Sequence, residues 1–214
     1  MVKRVAASCI ALLALWAPAA AQEKPFSLSV GGAIVGPLSE SADRFSTGFG
    51  FTAGAVWHIT DQFGLAGDYV WSTLGAQSDW PAPPLAQPVE VTPRVQFGTV
   101  SVRFQGPPGR ARLYVLAGLG LYHRSVALAA GGTGDVSVCD PWWFLCNAGP
   151  VPAGSITGTR TSTDPGVNVG AGVRAGRFFA EIRFHFAWGP SFDTPEGAKS
   201  ANGKFLPLTV GVVF

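Results

Sequence analysis

From Pro25 onward, apolar positions alternate with small or polar ones. Phe49, Phe51, Ala53, Ala55, Trp57 and Ile59 form one set, separated by Gly50, Thr52, Gly54, Val56 and His58. Phe178, Ala180, Ile182, Phe184, Phe186 and Trp188 repeat the pattern, interleaved with Phe179, Glu181, Arg183, His185 and Ala187. A period of two is that of a β-strand with two unlike faces. The alternation predicts about eight strands, over residues 26–36, 48–60, 63–75, 91–105, 112–128, 166–175, 178–189 and 204–214. Their lengths suit the roughly 9–11 residues of a tilted membrane strand, some with extensions. No helical period occurs beyond the first 21 residues.

The links between these segments alternate strictly in length. Short ones lie around Asp61-Gln62, at Gly106-Pro107-Pro108-Gly109 and at Ala175-Gly176-Arg177, whereas 37–47, 76–90, 129–165 and 190–203 are long. An up-and-down membrane barrel sorts its links this way, with short periplasmic turns and long extracellular loops. A soluble sandwich has no reason to. Aromatic residues follow the same division. Trp57, Phe63 and Phe178 flank short links, while Phe49, Phe51, Tyr69, Trp71, Phe186 and Trp188 lie toward the long ones. Two such girdles bound the apolar band, about 25 Å tall, of a membrane barrel.

Composition sharpens this picture. Charged residues make up 13% of the chain, about half the share of a soluble domain. Yet no apolar run beyond residue 21 reaches the ~20 residues of a membrane helix. The first 21 residues form a separate segment: Lys3 and Arg4, an apolar stretch over 10–16, then Ala19-Ala20-Ala21. This is the pattern of a signal peptide cleaved before Gln22, so residues 22–214 are expected to form the barrel domain. Cleavage removes Lys3 and Arg4 from the 15 basic residues and leaves 13, equal to the 13 acidic ones. A neutral chain has no electrostatic footprint for nucleic acid. Cys139 and Cys146 remain after export, and in an oxidising compartment they are expected to form a local disulfide. It would hold Trp142, Trp143 and Phe144 at a loop tip, where they would bind a partner, rest on lipid headgroups or cap the barrel mouth. The Pro-rich stretch 80–84 reads as a stiff, exposed spacer.

The final segment places Leu206, Leu208, Val210, Val212 and Phe214 on one face, with Thr209 and Gly211 on the other. In lipid an unpaired sheet edge is untenable, so this strand is expected to close onto the first. With its leader, its alternating strands and its terminal aromatic residue, the sequence resembles the small bacterial outer-membrane barrels, the OmpA-like and opacity-type proteins. The resemblance covers the whole mature chain and implies a closed antiparallel barrel of about eight strands in the outer membrane. It also implies that Phe214 is a signal read by the barrel-assembly machinery, that periplasmic chaperones escort the chain, and that lipid and lipopolysaccharide surround it. An extracellular ligand is open. No cofactor and no metal site is expected.

Candidate chemistry lies on the inward face. Asp68 and Glu181 stand opposite Arg103, Arg174 and Arg183, with His58 and His185 nearby and Ser27, Ser29, Thr52, Thr99, Ser101 and Asn168 around them. Buried charges need partners. Asp68 and Arg103 fall on adjacent strands, and Arg174 is expected to face Glu181 across a tight hairpin. The reading is a structural network filling a narrow lumen. The inward glycines Gly54, Gly118, Gly120, Gly170 and Gly172 are expected to leave room for water, which keeps a narrow channel for small or apolar solutes as the alternative. His123 and Ser125, both outward, have the spacing found in a lipid A deacylase of the outer membrane, with Asp135 as a conceivable orienting acid. That is the lesser alternative; the leading reading is a non-enzymatic surface protein.

Overall fold

A computed structural model describes residues 25–43, 45–76, 89–130, 134–140, 145–151, 156–194 and 197–214. The leader 1–21, the Pro-rich stretch 80–84 and the loop aromatics Trp142, Trp143 and Phe144 lie outside the described residues. In chain order the strands are β1 (Phe26–Pro37), β2 (Phe45–His58), β3 (Phe63–Ala76), β4 (Val89–Gln105), β5 (Arg112–Ala130), β6 (Gly134–Asp140), β7 (Leu145–Val151), β8 (Ile156–Ala175), β9 (Phe178–Ala187), β10 (Ser191–Thr194), β11 (Gly197–Ser200) and β12 (Gly203–Val213). Eight of them form a closed barrel in the order β1-β12-β9-β8-β5-β4-β3-β2, and β6-β7 and β10-β11 are separate hairpins. Every pair in the barrel is antiparallel.

Closure occurs where the last strand meets the first. Gly31 lies opposite Gly211 and Ile34 opposite Leu208. The Phe214 amide donates to the Leu28 carbonyl at 2.8 Å, and the Leu28 amide donates to the Phe214 carbonyl at 3.3 Å. The seam is thus hydrogen-bonded to its last residue, and the Phe214 ring faces outward.

The two faces separate as the alternation requires. Phe49, Phe178 and Leu119 are each more than two-thirds exposed on the outer wall, whereas Val35, Val95 and Phe97 face inward and are fully buried. The outer rings pair along the two rims. Phe26 stacks on Trp57 near the short turns, and Phe51 stacks on Trp71 near the long loops.

Two expectations change. The long link 129–165 is largely strand, because β5 and β8 continue as one ladder as far as Ala130 opposite Ile156, with the β6-β7 hairpin beyond it. Pro165, just before the expected strand 166–175, does not end it, although proline cannot donate to a ladder. Its nitrogen, however, lies on the β9 side, where pairing has already ended at Gly166 opposite Ala187 and only the Pro165 carbonyl is used, by the Trp188 amide. The threonine-rich stretch 157–163 then carries the strand outward. Likewise the link 190–203 contains the β10-β11 hairpin.

The glycine expectation is overturned. The inward glycines do not leave room for water; they seat large side chains. A Cβ on Gly170 would lie 2.9 Å from Arg183 Cγ, and one on Gly120 would lie 2.7 Å from Thr99 Cγ2 and 3.2 Å from the Tyr122 ring. Over Gly172 sits the Tyr114 ring, over Gly54 the Asp68 carboxylate, and over Gly118 the Ser101 side chain. An eight-stranded barrel is only wide enough for side chains, and Arg183, Thr99, Tyr114, Asp68 and Ser101 each lie over a glycine that is the ladder partner on the neighbouring strand. Replacing Gly172 by leucine should displace Tyr114 and destabilise the barrel by about 1–3 kcal/mol. The check is the urea midpoint of the protein refolded in phospholipid vesicles, with Gly32→Leu, on the open outer wall, as the variant that should change it little.

Candidate functional site

The lumen is the place where charged and polar side chains converge, and it is layered. Along β9 the inward residues, counted from the short-turn end, are Phe179, Glu181, Arg183, His185 and Ala187; along β4 they are Gln105, Arg103, Ser101, Thr99, Phe97 and Val95. Polar chemistry therefore dominates the short-turn half and aromatic chemistry the long-loop half.

Arg183 is the hub of the polar layer. Its Nη1 donates to Asp68 Oδ2 at 3.0 Å and to Thr99 Oγ1 at 3.1 Å, and its Nε donates to Glu181 Oε1 at 2.8 Å. One guanidinium from β9 thus binds two carboxylates, one of them across the lumen on β3. Arg103 stands with its guanidinium carbon 3.5 Å from the centre of the Tyr114 ring, a cation–π contact. Asp68 has Thr99, not Arg103, as its ladder partner, and its ion pair is with Arg183. Arg174 lies opposite Phe179, one inward position nearer the turn than Gly172, the partner of Glu181; its Nε donates to the Gly176 carbonyl at 3.1 Å. The two-residue turn at Gly176-Arg177 sets that register. At the short-turn end Ser27 Oγ meets His58 Nε2 at 3.0 Å, and Gln105 Nε2 donates to the Asp61 carbonyl at 3.0 Å. A cavity of about 30 Å3 remains in this layer beside Asp68, Arg103, Glu181 and Arg183. That is room for one or two waters, not for a solute.

Above the polar layer the lumen is closed by rings. Phe97 lies 4.7 Å from His185, 5.4 Å from Tyr122 and 5.8 Å from Phe205, centre to centre. Val35, Val70, Leu74, Val95 and Ala187 pack around them. The Tyr122 hydroxyl donates to the Val167 carbonyl at 3.1 Å, so His185 Nδ1, 3.0 Å away, carries the proton of their shared hydrogen bond. Nearest the long loops comes a second ion pair. Arg124, 1% exposed, donates through Nε to Asp164 Oδ2 at 3.0 Å and through Nη1 to the Ala201 carbonyl at 2.7 Å. Ser162 Oγ holds the other carboxylate oxygen of Asp164 at 2.8 Å. This cluster ties the β9–β12 connection to the barrel rim.

Outside the barrel, His123 Nδ1 shares a hydrogen bond of 2.9 Å with Thr163 Oγ1. Ser125 lies one outward position further along β5, opposite Thr161. Asp135 belongs to the β6-β7 hairpin, opposite Pro150, past the end of the β5-β8 ladder. The structure therefore does not bring these three residues onto one ladder. Cys139 and Cys146 are direct partners in the β6-β7 ladder.

Closure and an outward apolar band converge with the comparison to known families. Residues 7–214 match the family described as outer membrane protein beta-barrel domain. The chain belongs to this outer-membrane barrel family. Its place is the outer membrane, with the three short turns on the periplasmic side as in other members. No functionally curated protein sequence matches it. Among solved structures it is similar to Ail, the attachment invasion locus protein of Yersinia pestis, at 12% identity over 88% of this chain and 97% of that one, with a TM-score of 0.48. It is also similar to Neisserial surface protein A, at 15% identity over 89% and 96%, with a TM-score of 0.48. A third is the N-terminal beta-barrel domain of Pseudomonas aeruginosa OprF, at 16% identity over 88% and 97%, with a TM-score of 0.40. Identities of this size say nothing of a shared role.

Sequence reasoning missed the aromatic layer and the Arg124–Asp164 pair. Strict alternation did mark Arg124 as inward once His123 and Ser125 were placed outward, and Phe97 and Phe205 follow from the same parity. Asp164 was hidden because the strand was ended at Pro165. For the polar layer, Arg183→Ala should leave two buried carboxylates uncompensated and cost about 3–5 kcal/mol. Arg183→Lys, which keeps the charge but not the fork, should recover part of that loss. Both are read from unfolding midpoints in vesicles.

Proposed function

We propose that this protein is a non-enzymatic barrel that works at its outer surface, as a closed scaffold presenting loops for envelope integrity or contact, and not as a conduit. The observation that carries this reading is the filled lumen: an ion-paired layer with a cavity of about 30 Å3, then a layer of packed rings, then a second buried ion pair. A solute would have to break all three. Among the described residues no carboxylate is seen to orient His123: its Nδ1 is engaged by the Thr163 hydroxyl, and Asp135 belongs to another hairpin.

The loop face is further stiffened, on this reading, by a disulfide. Cys139 and Cys146 are opposed residues of one antiparallel ladder. Opposed residues have Cα atoms about 4.5–5.5 Å apart, within the 4.4–6.8 Å range of disulfides. Signal cleavage removes the remaining cysteine, Cys9. Protein purified from outer membranes should then resist a thiol-reactive maleimide under denaturing conditions until it is reduced, and should take up two labels afterwards. Two labels before reduction would remove the bridge from the account.

For the main reading the measurement is planar-bilayer recording of the folded protein. No steady conductance is expected from the wild type. Arg183→Ala should also stay silent if it folds, because the ring layer above it remains closed. Reproducible wild-type channels altered by substitution at Arg183 or Glu181 would overturn the scaffold reading in favour of a narrow pore.

A further inference from the structure

The aromatic girdle near the long loops has a gap. On β2, β3 and β9 the outward positions near this rim are Phe49, Phe51, Tyr69, Trp71 and Phe186, with Trp188 just past β9; on β1 and β12 they are Ile34, Leu206 and Lys204. On β4, β5 and β8 they are polar. Two rows of ladder partners cross this sector. Gln96, His123 and Thr163 form one, continuing from Trp71; Arg94, Ser125 and Thr161 form the other, continuing from Thr73. Their outward direction is shown by the burial of their neighbours: Pro93, Val95, Tyr122, Arg124 and Asp164 are buried, while Arg94, Thr161 and Thr163 are exposed. From strand spacing and rise, the sector from β3 to β8 is about 14 Å wide and its two rows are about 7 Å apart.

The chemistry of this patch is one-sided. Leu121 and Val169 lie below it on the lipid-facing wall, so it begins where the apolar band ends. Arg94 supplies a full positive charge. The Tyr69 hydroxyl donates to Gln96 Oε1 at 2.8 Å, which leaves the Gln96 amide nitrogen as a donor. Thr163 occupies His123 Nδ1, leaving Nε2 at the surface. The nearby Asp164 faces inward, held by Arg124, so its charge is already balanced. These two rows therefore offer a guanidinium, an amide, an imidazole and several hydroxyls at the level of lipid headgroups; the next acidic residue at an outward position of β4 is Glu90, two outward positions beyond Arg94.

We infer that the β4–β5–β8 rim is a binding site for the phosphorylated sugar headgroup of an outer-leaflet glycolipid. Arg94 pairs with a phosphate, and Gln96, His123 and the threonine hydroxyls bond to sugar hydroxyls and to the remaining phosphate oxygens. Charge complementarity and depth together select this occupant. A soluble anion would have no reason to seek the edge of an apolar band, and a neutral lipid headgroup would leave Arg94 unmatched. On this reading, residues whose spacing resembled a nucleophile and its base hold a lipid rather than cleave it.

The test is native mass spectrometry of the folded protein in detergent micelles, titrated with bisphosphorylated lipid A and with the same lipid after removal of both phosphates. Wild-type protein should bind the phosphorylated form at least tenfold more tightly, as expected for loss of a charge-assisted hydrogen bond. Arg94→Gln should lose about tenfold for the phosphorylated lipid and little for the other. Lys204→Gln is the control: Lys204 projects from β12, opposite Phe186 and outside the sector, and its loss should leave affinity unchanged. Each variant is first confirmed as folded by its mobility before and after boiling. Three results would each overturn the assignment: equal affinity for the two lipids, no effect of Arg94→Gln, or an equal loss from Lys204→Gln, which would indicate attraction to rim charge in general.

Discussion

In hydrocarbon, a backbone amide or carbonyl without a partner costs several kcal/mol, and no water is available to relieve it. Everything in this barrel depends on meeting that demand around the full circumference. The β1-β12 seam is where it is met last, with Phe214 and Leu28 exchanging both hydrogen bonds at the rim. Once the ring is closed, period-two alternation does the rest. One set of side chains must face lipid and the other must fit inside a cylinder of fixed, narrow bore.

That bore explains why the interior is rich in both glycine and large side chains. Tyr114 and Arg183 lie over Gly172 and Gly170, their ladder partners on the neighbouring strand, and the Tyr122 ring lies over Gly166 across the β5-β8 ladder. Charges enter under the same rule. Asp68 and Glu181 share one guanidinium, and Asp164 has its own in Arg124. Because a buried, unmatched charge is strongly unfavourable, these pairs also lock strands that are far apart in the chain: β3 to β9, and β5 to both β8 and the segment leading into β12. The layer between the two ion-paired layers is mostly aromatic, and its polar groups, the Tyr122 hydroxyl and His185 Nδ1, bond to each other and to the Val167 carbonyl.

On the proposed reading, a closed interior leaves the outer wall and the loops as the working surfaces. The outer wall is not uniform. On β2, β3 and β9 its long-loop rim is aromatic and on β1 and β12 it carries Ile34, Leu206 and Lys204, whereas the β4–β5–β8 sector carries Arg94 and hydroxyls. The same sector stands beneath the place where β5 and β8 continue past the membrane as a two-stranded extension. The proposed lipid site and the β5-β8 extension thus share β5 and β8.

Strand number, facing, the alternation of short and long links and the closing role of the last segment were legible in the chain itself, because each follows from local period and from turn residues. The register was not. That Arg183 rather than Arg103 meets Asp68, that Arg174 falls one position short of Glu181's partner, and that Pro165 sits harmlessly inside a long strand all depend on which residues are opposed across the barrel. So does the role of the glycines, which look like empty space in one dimension and are sockets in three. Alternation assigns a side chain to a face from its nearest neighbours alone. Which side chain it meets across a closed lumen depends on the stagger of eight strands at once, and only the assembled cylinder specifies that.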